Sequence, residues 1–225
     1  MGQGISEVLT FAIGVAISPI PIIAVILMLF SRRARVNGPV FLLAWVVSLA
    51  AVGTVAYVLS HDGNVATSST ASDSVSWGKI ALGAGFLVLA RRNWRKRPAP
   101  GGEADMPKWM GTVDSLSPVK AFGLGVALAV ANPKNLILTL GAATGLAQLG
   151  LSTSDAIVSL AVFVVIASLT IAGPVLYAAF GGEKARAALD SAKAWLGTHN
   201  AAVMAVLFLV FGIDLISKGL PPLTH

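Results

Sequence analysis

Long apolar runs, broken by short polar or charged segments, occupy the chain from one end to the other. Six of them read as membrane-spanning helices, at residues 5–30, 39–60, 75–92, 119–149, 156–180 and 200–217. Crossing about 30 Å of hydrocarbon takes roughly 20 residues of helix, and most of the runs suit that length. The third is the weakest, because its uncharged stretch covers only residues 80–90. It spans only if Lys79, Arg91 and Arg92 extend their charged ends toward the interfaces. The fourth and fifth are long enough to require tilt or a break. The first run is expected to stay as a span rather than be cleaved, since its flank carries Glu7 and no basic residue and the run reaches Phe30. The pattern predicts an all-α polytopic membrane protein.

The charges supply an orientation. Of 16 Lys and Arg, 13 fall in residues 32–35, 91–120 and 184–193. The segment 61–74 between two apolar runs holds Asp62 and Asp73 and no Lys or Arg. Basic residues gathered in alternate loops predict a cytoplasmic side for those loops, with both termini outside. Residues 93–118, rich in Pro, Gly and charge, read as a cytoplasmic linker between a first three-helix half (1–92) and a second (119–225). Residues 183–196 place Ala185, Ala188, Leu189, Ala192, Trp195 and Leu196 on one face, opposite Lys184, Arg186 and Lys193. They form either a helix lying on the membrane surface or a solvated connector.

Composition narrows the function. Charged residues are 12% of the chain and hydrophobic ones 56%, about half the charge and more than the apolar share of a soluble domain. The net charge of +6 leaves no folded basic domain to bind nucleic acid. With no cysteine, disulfides, thiol redox chemistry and thiolate metal sites are excluded. His61, His199 and His225 lack ligand-like spacing, and no Ser-His-Asp set, phosphate loop or carboxylate pair is present. Neither a metal, a cofactor nor an enzymatic activity is therefore expected.

The chain also repeats itself. FAIGVAI at residues 11–17 returns as FGLGVAL at 122–128, each followed by a proline-bearing interruption, Ser18-Pro19-Ile20-Pro21 and Asn132-Pro133-Lys134-Asn135. Three spans separate equivalent points, so the halves enter the membrane from opposite sides, as inverted repeats do. Proline removes a backbone donor and blocks the preceding turn. Carbonyls freed in hydrocarbon have no water, so they must be buried in protein or face a wet cavity.

Those interruptions hold the candidate site. Ser18, Pro19, Pro21, Asn132, Pro133, Lys134 and Asn135 are the expected substrate-binding residues. Lys134 either binds an anionic group, pairs with an intramembrane acid, caps freed carbonyls, or snorkels to the interface if the fourth span begins later. Asp214, the acid inside the last apolar run, either couples a proton or ion together with Lys134 or sits near the surface beside Lys218. Gly141 and Gly145 read as a packing face. Gly173-Pro174 reads as a kink in the fifth span.

The run ANPKNL at 131–136 resembles the N-P-K motif in the fourth span of the lysine-exporter superfamily of six-helix transporters. The S-P-x-P at residues 18–21 looks most like its branch of peptidoglycolipid- and sulfolipid-addressing (GAP) proteins. Amino-acid exporters of the superfamily more often carry P-G-P there. The resemblance implies a plasma-membrane transporter, or a translocation factor, for a cell-envelope lipid such as a glycopeptidolipid or sulfolipid. Its partners would be the bilayer, the lipid cargo, and a larger lipid exporter or a second copy of the chain. Two other readings stand beside it: export of an amino acid or other small metabolite, and a membrane scaffold with no cargo of its own.

Overall fold

A computed structural model gives the protein's structure over residues 2–61, 77–97 and 115–220, and every extended regular element among them is helical. The helices are α1 (Gly2–Ala16), α2 (Pro19–Phe30), α3 (Ala34–His61), α4 (Trp77–Arg95), α5 (Pro118–Val126), α6 (Pro133–Gln148), α7 (Thr153–Phe180) and α8 (Gly182–Gly219). A π-helical stretch, Ala127–Ala131, continues α5. Local chemistry explains the boundaries. Prolines 19, 118 and 133 open α2, α5 and α6 at the first position, where a missing N–H costs nothing. Ser117, Asn132 and Ser152 cap α5, α6 and α7 through their side chains. Gly150 and Gly182 turn the chain into α7 and α8 with φ of +57°, a region that favours glycine.

Among the described residues, three helices are long and apolar enough to cross a membrane: Ala34–His61, Thr153–Phe180 and Gly182–Ser217. Two more stretches qualify as bent pairs, Gly2–Ala16 with Pro19–Phe30, bent by 56°, and Pro118–Ala131 with Pro133–Gln148, bent by 63°. The first and fourth sequence-derived spans are thus interrupted at their prolines, whereas α7 runs unbroken through Pro174. One expected boundary needs correction. The surface helix expected at 183–196 and the span expected at 200–217 are one helix, Gly182–Gly219, because no proline lies between those ends and Gly197 alone does not stop it. Over the expected third span, 75–92, lies α4 (Trp77–Arg95), which is not among the helices apolar enough to cross on composition alone. Most of the expected linker, and the acidic segment after residue 61, lie outside the described residues.

The helices fall into two compact units. The first contains α1–α3, α5–α7 and α8 up to Ala194. Its core is built from Phe41, Trp45 and Leu49 of α3, Phe163 of α7, and Ile23 and Ile26 of α2, all 1% exposed or less. Its outward faces are apolar too, with Leu43, Val47, Val165 and Leu169 exposed, as contact with lipid requires. Neighbouring residues fix the helix directions. Phe11 lies against Gly141 and Glu7 against Gly145, so α1 and α6 run antiparallel. Gly4 lies against Ser159, and Ala16 bonds Thr170, so α1 and α7 run parallel. Gly38 meets Val175 and Gly53 meets Leu160, so α3 opposes α7. The Gly141/Gly145 face is a packing face, occupied by Phe11 and Glu7.

The second unit contains α4 and α8 from Trp195 onward. The two helices cross at a pair of glycines, where a Cβ on Gly83 would fall 2.7 Å from the Gly212 carbonyl oxygen. Phe86 and Phe208 stack beside the crossing with ring centroids 5.5 Å apart. Gly83 also faces Ile216, so α4 and α8 run antiparallel.

Candidate functional site

At the end of α1 the backbone runs out of donors. In an unbroken helix the carbonyls of Gly14, Val15 and Ile17 would accept from the N–H groups of residues 18, 19 and 21. Residues 19 and 21 are proline and have no N–H. The N–H of Ser18 turns back to the Ala16 carbonyl at 2.9 Å. Carbonyl oxygens are therefore left pointing past the helix terminus, which carries the negative end of the helix dipole.

Lys134, at the start of α6, supplies the missing donor. Its ammonium donates to the Gly14 carbonyl at 2.8 Å and to the Ile17 carbonyl at 3.2 Å. The side chain is 2% exposed. From α7, the Thr170 hydroxyl donates to the Ala16 carbonyl at 2.7 Å. Hydrogen bonds to a charged donor are roughly twice as strong as neutral ones, so the lysine is the main tie between the two interrupted helices.

The second break is satisfied in a related way. In the π-helical stretch the Leu128 carbonyl would accept from the N–H five residues on, which is Pro133. That donor is absent, and the Asn135 side-chain N–H fills in at 3.1 Å. The Asn135 carbonyl oxygen on the side chain in turn accepts from the Ser18 hydroxyl at 2.8 Å. Ser18 occupies the N-cap position of α2, yet its hydroxyl makes no capping bond and reaches instead to the other break. Asn132 caps α6, its side chain accepting from the Lys134 backbone N–H at 3.1 Å.

Six of the expected residues around the two motifs, with Lys134, thus form one assembly in the first unit. Pro19, Pro21 and Pro133 empty the carbonyls. Lys134 and Asn135 refill them, Ser18 bridges to Asn135, and Asn132 holds the start of α6 in place. Of the roles open to Lys134, carbonyl capping is the one its ammonium performs in this conformation. Asp214 belongs to the second unit, where it is half-buried and its backbone carbonyl accepts from the Ser217 hydroxyl at 2.8 Å.

Thr170 belongs to the assembly and escaped the sequence reading. A threonine in an apolar run, four residues before Pro174, was the available signal. Such a residue ordinarily bonds its own helix, so nothing local points it toward α1. Thr139 shows the ordinary case, its hydroxyl donating to the Asn135 backbone carbonyl one turn earlier at 2.8 Å. Among the described residues, no cluster of His, Asp or Glu is arranged to hold a metal ion.

Comparison with curated proteins and with solved structures gives no match. A family model matches residues 8–221, nearly the whole chain and both breaks, and on that match the chain belongs to the SfLAP family, described as Sap, sulfolipid-1-addressing protein.

Proposed function

We propose that this chain is a plasma-membrane translocation factor that moves an anionic cell-envelope lipid of the sulfolipid class toward the cell surface, without covalent chemistry of its own. The observation that carries the reading is a buried ammonium held between two interrupted helices in a member of a sulfolipid-addressing family. The carbonyls of Gly14 and Ile17 use two of the three N–H groups of Lys134. A sulfate or phosphate oxygen is the natural acceptor for the third, because a charged donor in a water-poor site gains most from a charged acceptor.

The topology proposed with it is six spans arranged as two inverted halves, as in the lysine-exporter superfamily, with both termini outside. The bends of 56° and 63° support this, since a chain deflected by that much keeps advancing, whereas a re-entrant hairpin must nearly reverse. The alternation of direction within each unit supports it as well. Spans one and five are parallel, spans one and four antiparallel, and spans three and six antiparallel. α4 is the third span in this scheme, its Arg91, Arg92 and Arg95 lying at the cytoplasmic interface.

An amphiphile suits this interior better than a free amino acid. A polar solute needs a closed polar cavity, while a lipid exposes only its headgroup to the polar break and leaves its chains against apolar helix faces. No nucleotide-binding motif is present in the sequence. The driving force is therefore an ion gradient or a larger exporter working alongside.

Mass spectrometry of surface-extracted lipids from a deletion strain and its parent tests the reading. The expected result is loss of one sulfated or otherwise anionic glycolipid from the surface, with its accumulation in the cell-associated fraction. Unchanged surface lipids, with altered secretion of an amino acid instead, would replace the lipid reading with metabolite export.

A further inference from the structure

The end of α1 has the makings of a cation site. It presents backbone carbonyl oxygens at a helix C-terminus, where the dipole adds about half a negative charge. Proline at 21 denies the Ile17 oxygen its own-chain donor, and the Ser18 N–H that would serve Gly14 turns to the Ala16 carbonyl instead. A cation already occupies the place, the Lys134 ammonium at 2.8 Å from the Gly14 oxygen and 3.2 Å from the Ile17 oxygen. The ion is shut away from solvent, with Lys134 2% exposed and Ser18 beside it also 2% exposed. Carbonyl oxygens of interrupted membrane helices are ligands that suit sodium and similar ions. With no carboxylate among the groups that hold the ammonium, the site favours a single positive charge over a divalent ion.

We propose that the Gly14 and Ile17 carbonyls form a monovalent-cation site, taken by Lys134 in this conformation and by a sodium ion or a small primary ammonium when Lys134 leaves. Lys134 is then a tethered competitor. When an anionic headgroup draws the ammonium away, the carbonyls require another cation, and an ion from solution enters as the lysine departs. Cargo binding and ion binding are coupled through one side chain. The exchange rests on the anionic-lipid reading above; the cation site itself does not.

The test uses the full-length chain purified in lipid nanodiscs. Thermal unfolding of the wild type and of Lys134→Ala is followed in sodium, ethylammonium and choline chlorides at equal ionic strength. Choline is too bulky for the site and has no N–H. In Lys134→Ala the midpoint is expected to rise by several degrees in sodium or ethylammonium relative to choline, while the wild type shows no such difference. Lys134→Met, which keeps the bulk of the side chain and removes its charge, supplies a second readout. It is expected to bind radiolabelled sodium at one saturable site at least tenfold more tightly than the wild type. Equal midpoints in all three salts together with no saturable sodium binding would overturn the site. Selective cation binding in a protein whose deletion leaves surface lipids unchanged would keep the site and remove the lipid reading. Loss of surface lipid without selective cation binding would do the reverse.

Discussion

Lys134→Ala should reduce surface delivery of the lipid cargo to the level of a deletion strain while leaving the protein folded in the membrane. The opposing energies are close to balance. Removing the ammonium orphans one buried and one part-buried carbonyl, at up to about 1–3 kcal/mol each, so at most roughly 2–6 kcal/mol in all. In the proposed six-span topology it also relieves the cost of holding a lysine inside the membrane, about 2.5–3.5 kcal/mol on insertion scales. The remainder is a few kcal/mol at most, and at ~2–4 °C per kcal/mol for a chain of this length the unfolding midpoint moves by several degrees. Quantitative surface-lipid mass spectrometry, normalised to the amount of protein in the membrane, reads the outcome. Lys134→Arg separates charge from shape. The guanidinium keeps the charge but is planar and longer, and it cannot reproduce a compact ammonium beneath two converging carbonyls. It should restore less than a tenth of wild-type delivery. Delivery near the wild-type level in either variant would leave Lys134 a purely structural cap.

The second large effect comes from closing the first break. Changing Pro19 and Pro21 together to alanine returns the N–H groups that the Val15 and Ile17 carbonyls lack. Each restored bond is worth about 0.5–1.5 kcal/mol, and α1 and α2 can then join into one rod. Ile17 would no longer need Lys134, and the 56° bend would relax. Delivery should fall at least tenfold with the unfolding midpoint unchanged or raised, a combination that misfolding cannot produce. A variant that delivers lipid normally despite a straightened helix, established by spin-label distances between residues 5 and 27, would show that the interruption serves no transport role.

The positions of the breaks were legible because proline acts locally. Pro19, Pro21 and Pro133 have no donor wherever they stand, and their place in long apolar runs made the interruption predictable. That Lys134 could cap freed carbonyls was legible, but not that those carbonyls belong to the other break. Lys134 reaches Gly14 and Ile17 across more than a hundred residues, and Ser18 reaches Asn135 in the same way. Such pairings depend on the antiparallel register of α1 and α6, which is set by Phe11 and Glu7 packing over Gly141 and Gly145. The glycines announced close packing without naming the partner. The π-helical stretch before Pro133 was equally hidden, since its residues are Ala, Leu and Val, which suit an α-helix as well. In α8 the opposite error arose. The sequence reading ended one segment at 196 and began the next at 200, but with no proline between them the helix continues, and His199 stacks on Trp195 one turn away.

The arrangement stands or falls on whether the two breaks meet. The chain contains no cysteine, so introduced pairs report proximity without background. Ser18→Cys combined with Asn135→Cys, oxidised in native membranes, places two thiols where the side chains now lie 2.8 Å apart. A disulfide needs Cβ atoms about 3.5–4.5 Å apart, so its formation reports close approach of the two breaks. Ser18→Cys with Gly145→Cys is the control, the second position being about 15 Å farther along α6. Efficient cross-linking of the first pair and none of the second is the expected result. No cross-link at 18–135, or one as strong at 18–145, would mean that the interrupted helices do not come together as described.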